Sequence, residues 1–281
     1  MFKYDSIADL IAEAQKRGKN ISDIVIEEQA EACETTEEKM YERMLNSFKI
    51  MQMSIENGME KDTRSVSGLT GGSAWKMKQR VDSGENICGH VFGEAMSMAL
   101  AVAETNACMG KIMPAAIVSV MNEKKIPVKK VVMSLFTSSA IGLVIAHKAS
   151  IAGAEGGCQA ECGAASAMAA CALVEMCGGT PEMVGNACAI ALKNILGLVC
   201  DPVAGLVEIP CIKRNAMGTA NAFTAAELSL AGISSAIPAD EVIWAMKKVG
   251  DSMAASLKET GEGGLAATPT GKALRQQVFG E

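Results

Sequence analysis

The chain has 281 residues, enough to bury one sizeable core. Its net charge is −6, with no basic stripe and no aromatic–basic interleaving, which argues against nucleic acid as a partner. Apolar residues make up 49% but aromatics only 4%, so Ala, Val, Ile, Leu and 19 Met must form the core, a composition that predicts an all-α fold.

Residues 5–17 read as a short amphipathic helix ended by Gly18. This start is acidic and has no apolar leader core, so the expected location is the cytoplasm. A second helix follows Ser22 and keeps a charged, heptad-like pattern to Glu56, with a break near Thr35-Thr36 and a stop at Asn57-Gly58. Residues 1–57 are thus expected to form an N-terminal helical arm facing solvent or another subunit. Residues 58–281 are expected to form a single compact multi-helix domain. The polar stretch SVSGLTGGSAWKM comes next; Ser67, Thr70, Gly71 and Gly72 make a turn whose hydroxyls and N–H groups suit a carboxylate, or an ordinary loop.

Helix is predicted over 89–108 and 114–124 and again after Pro127, where the apolar run Val131–Ala146 is short of a bilayer span and reads as a buried core helix. No membrane partner is expected. Thr180-Pro181-Glu182 is a helix start with Thr as N-cap, Pro at the first position and an acid in the first turn; that helix should end near Gly197. The loop GLVCDPVAGLVEIPC follows, then helix from Lys213, a further helix opened by Pro238 and ended near Gly250, and a glycine-rich tail. About eight to ten helices are expected, and no alternating pattern is long enough to seed a sheet.

Ten cysteines in such a chain are small buried hydrophobes, ligands or catalysts rather than a disulfide framework. Cys171, Cys177 and Cys188 lie in apolar helical patterns and read as packing. Cys158 differs. In GAEGGCQAECGAASAMAAC it follows Gly156-Gly157 at the expected start of a helix, where exposed N–H groups and the helix dipole favour a thiolate. Cys200 precedes Asp201-Pro202, and Cys211 follows Pro210. The spacings are 42 and 11 residues, with no C-x-x-C pair, so the usual ferredoxin and zinc-ribbon patterns are absent and spacing alone leaves metal binding open. Glu155 and Glu161 flank Cys158 and either orient a substrate ammonium, relay a proton, or pair locally. His90 and His147 are the two histidines; either could act as a base, but a buried structural role is the commoner outcome.

The stretches GAEGGCQAE, LKNILGLVCDPVAGLVEIPC and KRNAMGTANAF resemble the α chain of the iron–sulfur-dependent L-serine dehydratases. So do SGLTGG, ETNACMGK and ETGEGGLAATPTGKAL. The resemblance implies a [4Fe–4S] cluster held by Cys158, Cys200 and Cys211, with one iron open as a Lewis acid. It implies deamination of L-serine to pyruvate and ammonia without pyridoxal phosphate, by residues 58–281 as the catalytic domain. It also implies a separate β chain as partner, which could carry the base. Ser67, Thr70, Gly71, Gly72, Lys213 and Asn215 are the expected substrate-binding residues, with Arg214 beside the last two.

Family members carry a glycine-rich stretch resembling PTAGSAG after NACMG, whereas here Met109–Met113 runs straight into Pro114-Ala115-Ala116. Roughly a dozen residues of a plausible anion-binding loop are missing, which predicts weakened turnover with the cysteines intact. Cysteine desulfidation and a cluster-bearing subunit with impaired activity are the alternative readings. A pyridoxal-phosphate enzyme would need a Schiff-base lysine, for which only Lys148 has a suggestive setting, and usually a parallel sheet.

Overall fold

The computed structural model describes residues 3–105 and 111–280. Among these the fold is all-α. Its thirteen α-helices are α1 (Ile7–Arg17), α2 (Ile21–Ala32), α3 (Glu37–Gly58), α4 (Ser73–Asp82), α5 (His90–Thr105), α6 (Ile112–Lys124), α7 (Val128–Lys148), α8 (Gly153–Gly156), α9 (Ala164–Met176), α10 (Pro181–Lys193), α11 (Cys211–Leu230), α12 (Ala239–Ser252) and α13 (Pro269–Phe279). No strand occurs among the described residues; two isolated bridges join Arg64 to Gly71 and Cys200 to Lys258.

Helix ends follow local chemistry. Ser6 Oγ accepts from Asp9 N to start α1, and Gly18 ends it in the left-handed region at φ 62°. The break expected near Thr35-Thr36 separates α2 from α3, with Thr36 accepting from Lys39 N at the new start. Thr180 caps α10 with Pro181 in the first turn, and Thr268-Pro269 repeats that device at α13. The helix count exceeds the expected eight to ten because α4, α8 and α13 lie in stretches read as polar loop, turn and glycine-rich tail. In addition, α10 stops at Lys193, four residues before the predicted end near Gly197.

The centre of the fold is α9. Its sequence, AASAMAACALVEM, is apolar all round, the pattern of a helix surrounded by protein. It packs against α6, α7, α10 and α11. Small side chains let these neighbours close in, and Val131, Phe136, Ile141, Ile145, Ile117, Leu192 and Met176 fill the remaining space. The apolar run of residues 131–146 lies inside a longer helix than expected. By length and composition α7 could cross a bilayer, but two thirds of its most apolar window is buried inside the fold.

Two carboxylates fasten the N-terminal helices to this centre. Asp240, in the first turn of α12, accepts from Ile7 N (2.8 Å) and Ala8 N (3.0 Å) and so caps α1 from another element. Glu175, buried at the end of α9, accepts from Ser22 N and from Thr137 Oγ1, tying α2 and α7 to α9. Burial raises its carboxyl, against the lowering effect of those two donors. Phe48 and Ile55 of α3 add apolar burial beside α5 and α7.

Candidate functional site

Ahead of α9 the chain makes an unusual approach. The short α8 ends at Gly157, whose φ of 77° lies in the left-handed region; a Cβ there would stand 2.6 Å from Met253 Sδ and 3.0 Å from Leu198 O. Cys158 comes next, then one widened π-type turn over Gln159–Gly163 before α9 begins. The buried Gln159 locks that turn. Its Nε2 donates to Met246 O (3.0 Å), its Oε1 accepts from Gly197 N (2.9 Å), and its backbone N donates to Leu198 O (2.9 Å). The turn holding Cys158 is therefore fixed to α12 and to the start of the 197–211 loop.

That loop is itself strapped down by the tail. Cys200 N donates to Leu257 O (2.9 Å), and Glu259 N donates to Cys200 O (2.8 Å). Asp201 Oδ2 accepts from Leu265 N (2.8 Å), while its Oδ1 lies 2.9 Å from Arg214 Nη2. Arg214 also donates to Val199 O (2.8 Å), and its charge acts on the Cys158 thiol. At the far end, Val203 N donates to Ile209 O (2.8 Å), and Cys211 opens α11, where Asn215 Nδ2 donates to Cys211 O (2.9 Å).

The three cysteines singled out in the sequence are buried, with relative exposures of 0% for Cys158 and 3% each for Cys200 and Cys211. They also share one electrostatic neighbourhood. Burial raises the Cys200 thiol far up, and the charges of Glu161, Cys158 and Cys211 raise it further. Burial pushes Cys211 up to about 12, with Cys158 adding to the rise. Cys158 goes the other way: a hydrogen bond with Cys162 and the Arg214 guanidinium hold it below the usual thiol range. Gly153 lets this group close up, since a Cβ there would lie 2.6 Å from Glu161 Oε2 and 3.0 Å from Cys200 Sγ. Burial, then the charge of Glu259, lifts the Glu161 carboxyl to about 7. Among the described residues no three His, Cys, Asp or Glu side chains are arranged to hold one metal ion. The thiolates of a cubane each bind a different iron and stand wider apart than that.

The polar turn of residues 65–72 is docked onto the same loop. Glu208 accepts from Ser67 N (2.8 Å) and Ser67 Oγ. Although burial pushes Glu208 up, these hydrogen bonds and one from Ser65 leave it below the usual carboxylate range. Within the turn Ser65 N donates to Thr70 O (3.0 Å) and Thr70 N to Ser65 Oγ (3.1 Å). Thr70 Oγ1 is buried with no hydrogen-bond partner among the described residues. Gly71 pairs with Arg64, and Gly72, at φ 66°, precedes α4, whose Ser73 N donates to the buried Glu104.

Other residues of interest lie elsewhere. Lys213 is exposed, one residue from the inward-facing Arg214, so Arg214 supplies the cation at the thiols. Glu155 pairs locally, accepting from Ser150 Oγ at 2.6 Å. His90 and His147 are both exposed, contrary to the structural role expected, and His90 sits between Glu94 and Glu123. Lys148 is at the surface, 3.9 Å from Asp5. Cys108 and most of the segment before Pro114 lie outside the described residues. Cys162, Arg214 and Asp201 carry more of the site than the sequence reading assigned them.

Residues 16–266 match the family described as serine dehydratase alpha chain. The chain is 46% identical over 288 positions to the probable L-serine dehydratase, alpha chain, of Bacillus subtilis, covering 99% of this chain and 96% of the relative. It is 42% identical over 284 positions to the L-serine dehydratase, alpha chain, of Peptoniphilus asaccharolyticus, covering 97% of each. Both alignments run over more positions than the 281 residues present here, so each relative has residues without a counterpart in this chain. The L-serine dehydratase of Streptomyces coelicolor is 35% identical across 92% of this chain but 59% of its own length. Matched by that family over residues 16–266 and by two of its alpha chains across nearly its whole length, the chain belongs to the serine dehydratase alpha chain family.

Proposed function

We propose that this chain is the α subunit of a carbon–oxygen lyase that deaminates L-serine to pyruvate and ammonia, with Cys158, Cys200 and Cys211 as ligands of a [4Fe–4S] cluster. One observation carries the reading: three cysteines 42 and 11 residues apart become buried neighbours in charge, beside the single guanidinium of Arg214. The donor set fits the group, since soft thiolates suit iron–sulfur clusters and Gly153 lets Glu161 and Cys200 come close to the same backbone. A cluster held by three protein thiolates supplies Lewis acidity at its fourth iron when bound.

The remaining work falls to the chain's own residues. Arg214, anchored by Asp201 and Val199 O, sets a positive charge that favours a thiolate at Cys158. The 65–72 turn, set against the cysteine loop by Glu208, offers Thr70 Oγ1 as a donor for the substrate carboxylate. Glu161 retains a proton near neutral pH and can present it to a departing hydroxyl. The 255–265 strap fixes the backbone of Cys200 and the side chain of Asp201.

The family's alpha-chain designation supports a β chain as partner, and the cytoplasm is the location we propose for the complex. Residues 1–57 are our candidate for its contact; between α2, α3 and α7 they help line a groove of about 790 Å³ with Asp23, Glu37, Glu38 and Glu42 at its rim. The test is anaerobic reconstitution of the chain with its β chain, iron and sulfide, followed by pyruvate release from L-serine and from L-cysteine. Stoichiometric iron and sulfide with serine turnover is the expected result. Turnover without iron, abolished by hydroxylamine, would overturn the reading.

A further inference from the structure

Cys162 has no part in the ligand set proposed above, yet it is as deeply buried as Cys158, at 0% exposure. Four residues apart on one helical stretch, the two side chains share a face. Their sulfurs are 3.4 Å apart. Among the described residues the Cys162 thiol has no other hydrogen-bond partner.

We infer that Cys162 is a positioning residue that donates its S–H to the Cys158 sulfur and thereby sets the reduction potential and air stability of the cluster. The inference rests on the cluster reading. A ligating Cys158 sulfur is a thiolate and can only accept. A second thiolate 3.4 Å away in a dry site would be a severe like-charge contact, so Cys162 keeps its proton. The same distance argues against Cys162 binding an iron of its own, because thiolates on different corners of a cubane diverge. What remains is a neutral donor aimed at a ligand sulfur. Such a bond draws charge from the cluster, favours its more negative reduced form, and raises the potential.

The test uses the reconstituted complex with the β chain, comparing wild type, Cys162→Ala, Cys162→Ser and the control Cys171→Ala. Bound iron and sulfide, midpoint potential, and the lifetime of the visible cluster absorbance in air are measured. Cys162→Ala is expected to hold full iron, to shift to a more negative potential, and to lose its absorbance several-fold faster. Cys162→Ser should recover part of both effects through its O–H, and Cys171→Ala should match wild type. An unchanged potential in a fully loaded Cys162→Ala protein overturns the inference and leaves the cluster reading standing. So does loss of iron in both Cys162 variants, which would make Cys162 a ligand. Failure of the wild type to take up iron and sulfide would defeat the cluster reading itself, and this inference with it.

Discussion

Two pairs of buried cysteines, one within and beside α9 and one just ahead of it, differ in almost everything but burial. Cys171, in the middle of α9, donates to Val184 O (3.4 Å) and sits against Cys188 of α10. Burial drives its thiol far above the usual range, and the neighbouring Cys188 and Glu175 raise it further. Cys158 and Cys162 precede α9 on a widened turn, beside Arg214, with a glycine at each approach. Burial is common to both pairs, so burial alone does not set a thiol's chemistry. A neighbouring cation and an irregular backbone that can aim the sulfur distinguish the pair before α9.

The strongest way to break this contrast is exchange of cysteine for serine. Cys158→Ser, Cys200→Ser or Cys211→Ser should abolish iron retention, and with it serine turnover. Cys171→Ser should retain iron, as measured by metal and sulfide content after anaerobic desalting. Next in size is the cation. Arg214→Met strands the buried Asp201 carboxylate, whose side chain is only 4% exposed, and should cost about 3–5 kcal/mol in denaturant unfolding. The double variant Arg214→Met with Asp201→Leu should recover much of that loss.

On the apolar side, Glu175→Ala leaves Ser22 N–H and Thr137 O–H without their acceptor. It should destabilise by about 1–3 kcal/mol for each donor left buried, with iron content unchanged. The smallest effect concerns the polar turn. Glu208 is held below its ordinary carboxylate range, so its contribution is present above the unfolded value, near 4.5, and is lost as pH falls through the lower folded value. Ser67→Ala should remove about 1.5–3 kcal/mol at pH 7 and flatten the acid limb of the stability curve in that window.

How far the sequence foretold this depends on the range of the interaction. Gly18, Thr36, Thr180-Pro181 and Pro127 mark their helix ends because a cap or a fixed φ acts within a turn. Thr268-Pro269 carries the same signal, masked by the glycines around it. The placement of Cys158, Cys200 and Cys211 in one neighbourhood was legible through the long motifs, not through spacing. The docking of Ser67 on Glu208 spans 141 residues and has no local signature. Cys162 was hidden because the family motifs drew attention to Cys158, Cys200 and Cys211, whereas its place beside Cys158 comes from a sulfur–sulfur distance. Lys213 and Arg214 are neighbours in sequence, but a helix turns them about 100° apart, and only the fold decides which one faces inward.

The strap over residues 200–201 has a consequence for biogenesis. A polypeptide is made from its N-terminus. Cys158, Cys200 and Cys211 therefore leave the ribosome well before Leu257, Glu259 and Leu265, which hold the backbone of Cys200 and the side chain of Asp201. A nascent chain arrested short of residue 257 has its thiols but lacks the hydrogen bonds that the strap makes to Cys200 and Asp201. The backbone at Cys200 and the side chain of Asp201 thus gain their full set of hydrogen bonds only once residues 257–265 have been made.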